Sequence, residues 1–239
     1  MGRKGLNALR KEVNALKRKA VLDEPETKVS DSYSALSTGD YITNKGIWQN
    51  PNSGAIDLTR TFVQGLLQTG GNIEGNYCKV RSMDCRIQLI NENAVDTVSR
   101  VRVLMVRAPG GQQLSAADIL TQVLEYGAGA THGQKAYCSP YKMNSTIAGG
   151  YDVMMDKMCY LTSQTATYAP ERAFKYIRFK KSWKKGLELR FSGVGNSLTL
   201  EKNRIYLFAF DVGAIDTSPI SPTQGSKISF VNRIRYVDQ

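Results

Sequence analysis

The sequence predicts an all-β fold, a sandwich or barrel of eight mainly antiparallel strands. Three observations carry that expectation. Short segments from residue 57 onward alternate apolar and polar side chains, Gly- and Pro-rich breaks separate them, and no strand–helix–strand rhythm announces a parallel sheet. At 239 residues and 41 % apolar composition, the chain is long enough for one large β domain. It contains no run of eighteen apolar residues and no apolar leader of the secretory kind, so a membrane partner is not expected.

Taken in order, Met1 to Lys19 comes first. Leu6, Leu9, Val13, Leu16 and Ala20 recur at spacings of three and four, one narrow apolar stripe along a helix. Gly2, Gly5, Asn7 and Asn14 weaken that helix, so it is read as an arm that orders against a partner chain or nucleic acid. Asp23, Glu24, Pro25 and Glu26 reverse the charge and stop it. The arm is assigned residues 1–28 and the body residues 29–239. Residues 28–56, rich in Ser, Thr, Asn and Gly, read as an irregular lead-in with room for one edge strand.

Strands are expected over 57–64, 79–91 and 98–107, the last with Val101, Val103 and Met105 inward and Arg100 and Arg102 outward. One helix is inserted: Ser115 with Asp118 makes a capping-box start, Ile119, Leu120, Val123 and Leu124 an apolar stripe, and Gly127 a stop. Further strands follow over 151–162, 173–181 and 187–191. Residues 204–212 are apolar on both faces, as in the centre of a sandwich. Residues 226–237 close the chain with Ile228, Phe230, Ile234 and Tyr236 on one face.

The net charge of +11 is concentrated in two places. Residues 1–19 hold Arg3, Lys4, Arg10, Lys11, Lys17, Arg18 and Lys19 against Glu12, net +6. Residues 172–190 hold eight bases against Glu188, net +7, which leaves −2 for everything else. Two cationic segments on a nearly neutral body are the footprint of a polyanion binder, since each base can neutralise a phosphate and release its counterion. Within the second segment, Lys180, Lys181, Trp183, Lys184 and Lys185 read as a basic turn. Trp183 there either stacks on an unpaired base or folds back on the body.

Catalytic and metal chemistry find little support. His132 is the sole histidine, which removes His-based triads and multi-His metal sites within one chain. No paired-carboxylate spacing, Walker loop or dinucleotide fingerprint occurs. Cys78, Cys85, Cys138 and Cys159 lack Cys-x-x-Cys spacing and read as free thiols. An enzyme is not expected, nor a cofactor or bound metal, although carboxylates from neighbouring subunits could still hold calcium.

The order of several segments resembles a known family. After the basic arm come Thr61-Phe62-Val63-Gln64-Gly65, then Gly75-Asn76-Tyr77-Cys78-Lys79-Val80 leading into the strand through Ile90. Arg100-Val101-Arg102-Val103-Leu104-Met105-Val106, Ala117-Asp118-Ile119-Leu120 and Tyr151-Asp152-Val153-Met154-Met155-Asp156 follow, ahead of two long closing strands. This pattern resembles the capsid proteins of small circular single-stranded-DNA viruses, circovirus-like in the broad sense. It is also similar to the coat proteins of satellite necrosis-type plant viruses. The resemblance implies a single eight-stranded jelly-roll sandwich whose copies, roughly 60 of them, close into an icosahedral shell around the genome.

On that expectation the partners are further copies of the chain, a genome of single-stranded DNA in preference to RNA, and a host receptor. The place is the virion, with the host nucleus or cytoplasm during assembly. The seven arm bases become genome contacts. The arm is shorter than the Arg-dense arms of circoviruses and carries a helical stripe they lack. Two competing expectations are a cellular β-barrel protein that binds single-stranded nucleic acid, and a carbohydrate-binding jelly roll, which has no use for a cationic tail.

Overall fold

A computed structural model describes residues 11–14, 27–34, 40–43, 46–47, 55–59, 62–64, 72–73, 75–91, 98–121, 138–142, 150–163, 173–193, 199–211 and 226–238. Strands dominate them: β1 (Thr27–Tyr33), β2 (Asp40–Thr43), β3 (Gly46–Ile47), β4 (Ala55–Asp57), β5 (Val63–Gln64), β6 (Asn72–Ile73), β7 (Tyr77–Asn91) and β8 (Ser99–Ala108). A single-turn helix, α1 (Ala116–Ile119), separates β8 from β9 (Asp152–Leu161), β10 (Phe174–Ser192), β11 (Thr199–Lys202), β12 (Arg204–Asp211) and β13 (Ser226–Asp238).

Two antiparallel sheets stack. The first runs β11-β10-β7-β13-β2-β3, with β1 also paired to β13; the second runs β4-β12-β8-β9. Alternation explains the first. Cys78, Val80, Met83, Cys85, Ile87 and Leu89 of β7 point inward, as do Ile228, Phe230, Ile234 and Tyr236 of β13, while the residues between them face out. Phe62 is wedged into this core, its ring edge-on to Tyr236 at 5.0 Å.

Alternation fails in the second sheet for a physical reason. Ile205, Leu207, Ala209, Val101, Val103 and Met105 join the main core, but Tyr206, Phe208, Phe210, Leu104 and Val106 on the opposite face are buried as well. Leu114, Ala116, Ile119 and Leu120, from the segment that follows β8, cover that face. The result is three layers with two apolar seams. The Asp118 carboxylate starts α1 by accepting from the Ser115 N–H at 2.7 Å and the Ser115 hydroxyl at 2.6 Å, the predicted capping pair. Val123, Leu124, Gly127 and His132 lie outside the described residues.

Several expectations are corrected. The strand expected over 57–64 ends at Asp57, because its carboxylate accepts from the Thr59 N–H at 2.9 Å and the Thr59 hydroxyl at 2.6 Å, closing a turn over buried Leu58. The lead-in contains four short strands instead of one edge strand. Residues 173–181 and 187–191 form one continuous strand, β10, and no turn divides them. Gly111 closes the turn after β8 at φ +69°, and a Cβ there would stand 2.1 Å from the Glu201 carbonyl carbon.

Arg102 is the largest correction. Expected to face solvent beside Arg100, it is buried. Its guanidinium donates to Asp156 on β9 at 3.2 and 2.8 Å and to the Ser139 carbonyl at 2.8 Å, and it lies 5.3 Å over the Tyr141 ring. The Tyr141 hydroxyl also donates to Asp156. This cluster clamps residues 139–141 against the second sheet. Burial pushes the Asp156 carboxyl up, yet the hydrogen bonds from Arg102 and Tyr141 outweigh that and hold it below the ordinary 3.8.

Because folding lowers that carboxyl, its contribution to stability is full above the ordinary aspartate range and is lost as pH falls through the lowered value. We expect Arg102→Met to cost about 3–5 kcal/mol by stranding the carboxylate. Asp156→Asn is expected to flatten the loss of stability between about pH 5 and pH 2 relative to the unsubstituted chain. Urea unfolding over a pH series measures both.

Candidate nucleic-acid interface

The longest basic surface among the described residues is β10. It pairs with β7 from Phe174 opposite Ile90 to Ser182 opposite Ser82, then from Leu187 opposite Val80 to Arg190 opposite Tyr77. Between those stretches, residues 183–186 of β10 stand against Arg81 alone, a bulge that pushes the strand outward. Gly186, at φ +77°, brings the backbone back; a Cβ there would meet the Lys79 Cβ at 3.0 Å. Lys180, Lys181, Lys184 and Lys185 are all exposed along this length. Among the described residues, the far edge of β10 is paired, by β11, only at Arg190 to Ser192, and lysines along a sheet edge oppose unwanted strand pairing.

Trp183 sits at the bulge, half-buried and packed against the main core. The structure therefore places it in the folded-back arrangement of the two the sequence left open. Of the arm bases, Lys11 is described, exposed and helical with Glu12, Val13 and Asn14. Arg3, Lys4, Arg10, Lys17, Arg18 and Lys19 lie outside the described residues.

The outer face of the first sheet carries charge that periodicity alone did not single out. Register places Asp31, Arg233, Asp84 and Lys180 side by side across β1, β13, β7 and β10. Arg233 forks Asp31 at 2.8 and 2.7 Å, and Arg178 forks Asp84 at 3.0 and 2.6 Å. Each arginine's hydrogen bonds hold its aspartate below the usual carboxylate range. The adjoining row reads Tyr33, Val231, Arg86, Arg178. There a cleft of about 710 Å³ opens on the face.

The four cysteines are free; Cys78, Cys85 and Cys159 are buried, and burial pushes the Cys85 thiol up to about 12. Thiolate chemistry is thereby suppressed on β7. Among the described residues no cluster of three or more His, Cys, Asp or Glu could hold a metal ion.

The packing of Trp183 makes a test. Trp183→Ala is expected to lower stability by about 1–3 kcal/mol, a part of the full cost of emptying a core tryptophan site, whereas Lys184→Gln with Lys185→Gln leaves stability within about 0.5 kcal/mol. Thermal unfolding of the two variants decides it; equal melting temperatures would place the indole outside the core.

No protein-family model matches the chain, and no curated protein matches it. The solved full particle of Israeli acute paralysis virus, heated to 63 degrees, is similar over 89 % of this chain and 71 % of that chain, at 14 % identity and a TM-score of 0.30. At that score the likeness carries no argument.

Proposed function

We propose that this chain is a viral capsid protein that assembles with copies of itself into an icosahedral shell and packages a single-stranded genome, DNA in preference to RNA. In this reading residues 1–28 are the genome-facing arm and residues 29–239 the shell-forming body. The observation that carries it is strand order. With β1, β3, β5, β6 and β11 left aside, the two sheets run β2-β13-β7-β10 and β4-β12-β8-β9. Followed along the chain, these strands cross between the sheets at every step except β8 to β9, an order that supports reading the sandwich as a jelly roll, the plan used by capsid and lectin domains. Two cationic segments favour the first of those uses, because sequence-blind phosphate neutralisation is what packaging needs and sugar binding does not.

A shell also needs apolar contact between copies. β9 edges the second sheet and exposes Met158 at 52 % and Tyr160 at 65 %, with Val153 and, just before β8, Val98 also exposed. Exposed apolar side chains gathered along a sheet edge suit an interface between protein surfaces. The alternative, a cellular β-barrel binder of single strands, shares the charge but leaves that edge without a role.

Two measurements test the proposal. Replacing Arg3, Lys4, Arg10, Lys11, Lys17, Arg18 and Lys19 by Gln is expected to leave particles that co-purify with little nucleic acid, read by the ultraviolet absorbance ratio. An unchanged ratio would remove the arm from packaging. Met158→Glu is expected to leave a dissociated, folded protein in light scattering, since burying an unpaired carboxylate in each copy of an interface is strongly unfavourable. A purified chain that stays monomeric without any substitution would overturn the shell.

A further inference from the structure

We infer that the cleft across β10, β7 and β13, on the outer face of the first sheet, binds a single strand of nucleic acid, stacking bases on Tyr176 and Tyr33 and holding phosphate with Arg86. The inference rests on the nucleic-acid part of the reading above and is independent of shell assembly.

The cleft is lined by Arg86, Gln88, Tyr176, Arg178, Ser229 and Val231 among others, and among the described residues no carboxylate lines it. Tyr176 is 73 % exposed and Tyr33 61 %, unusual for tyrosines within paired strands. They flank the cleft from opposite sides: Tyr33 on β1 and Tyr176 on β10, with β13 and β7 between them. Three strand spacings separate them laterally, about 14 Å. Tyr176 is oriented by the Gln88 side-chain amide, which donates to its hydroxyl at 3.3 Å.

Charge fits the same occupant. Arg86 is 70 % exposed, and the carboxylate it reaches, Asp84 at 3.9 Å, is already forked by Arg178. Asp31 is likewise forked by Arg233. The acids of this face are thus neutralised within it, while Arg86, Lys180 and Arg235 remain as exposed bases nearby. Aromatic rings beside arginines on an open sheet match a single strand, whose bases have free faces, and not a duplex, whose bases are stacked. A second protein copy would instead want an uncharged, apolar centre.

The test uses the full-length chain carrying Met158→Glu, so that assembly does not enter. Fluorescence anisotropy with a labelled oligothymidylate, with the matching duplex as control, is measured over a salt series. Tyr176→Ala is expected to weaken oligothymidylate binding on the order of tenfold, Tyr176→Phe to restore it, and the duplex to be unaffected. Arg86→Gln is expected to reduce the log–log salt slope by roughly 0.7. The Tyr176 effect is expected to persist when the arm bases are also replaced by Gln, which separates failure of this site from failure of the arm. Unchanged affinity in Tyr176→Ala overturns the inference. So does an equal loss for the duplex, or a variant that changes sedimentation alone, which would make the face a contact between copies.

Discussion

The first sheet depends on β7, which is hydrogen-bonded along both edges for nearly its whole length, to β10 on one side and β13 on the other. A strand held on both sides has a single workable register, because side chains alternate with period two. A slip of one residue would expose Met83, Cys85, Ile87 and Leu89 and would bury Asp84, Arg86 and Gln88. The apolar cost on one face and the desolvation cost on the other act together. The same constraint sets the outer surface. The ladder Asp31, Arg233, Asp84, Lys180 exists because β1, β13 and β10 are each registered, directly or through β13, on β7. The core thereby determines which charges meet on the outside.

The two sheets solve opposite problems. The first leaves its outer face in water, so that face carries arginines, tyrosines and ion pairs. The second has its outer face covered by α1 and the residues leading into it, so Tyr206, Phe208 and Phe210 stack there in a second seam, with Phe208 and Phe210 rings 6.5 Å apart. Covering ends towards β9, where the Arg102–Asp156–Tyr141 clamp closes the seam and Met158 and Tyr160 emerge. A buried arginine is tolerated at that boundary because its donors meet a carboxylate and a carbonyl, and its face meets a ring.

Much of this was legible in sequence, and what was not has identifiable causes. The inward residues of β7 and β13, the two-faced burial of β12 and the start of α1 follow from period and capping chemistry alone. The two-strand reading of 173–191 gave the lysine cluster the weight of a turn. Ile177 and Phe179 before the cluster and Leu187, Leu189 and Phe191 after it are buried, but Lys181 and Lys185 at the same parity are exposed, so the inward phase lapses at the bulge and resumes beyond it. Within the bulge Trp183 is the side chain that packs against the core. Arg102 was misplaced because its partners are 37 to 54 residues away in sequence. Asp156, which with Lys157 interrupts the mostly apolar run from Val153 to Leu161 of β9, was the available signal. The cleft left no trace at all in the sequence pattern, since it is made by three strands from distant parts of the chain, β7, β10 and β13, with Ser34 beside them.

On the proposed reading, this division between sheets resolves a conflict that any self-assembling polyanion binder faces. Bases that attract phosphate repel the bases of neighbouring copies, and the repulsion acts over about 8–10 Å at ordinary ionic strength. Spread evenly, a charge of +11 per copy would oppose close packing at every contact. Here the residues outside the two cationic segments sum to −2, and the exposed apolar side chains of β9 lie on the sheet opposite to β10. Copies meeting through β9 would bring near-neutral surfaces together while the lysines of β10 stay turned towards phosphate. Nucleic acid then lowers the remaining repulsion as it binds, so packaging and closure favour each other through charge alone, without any conformational change in the body.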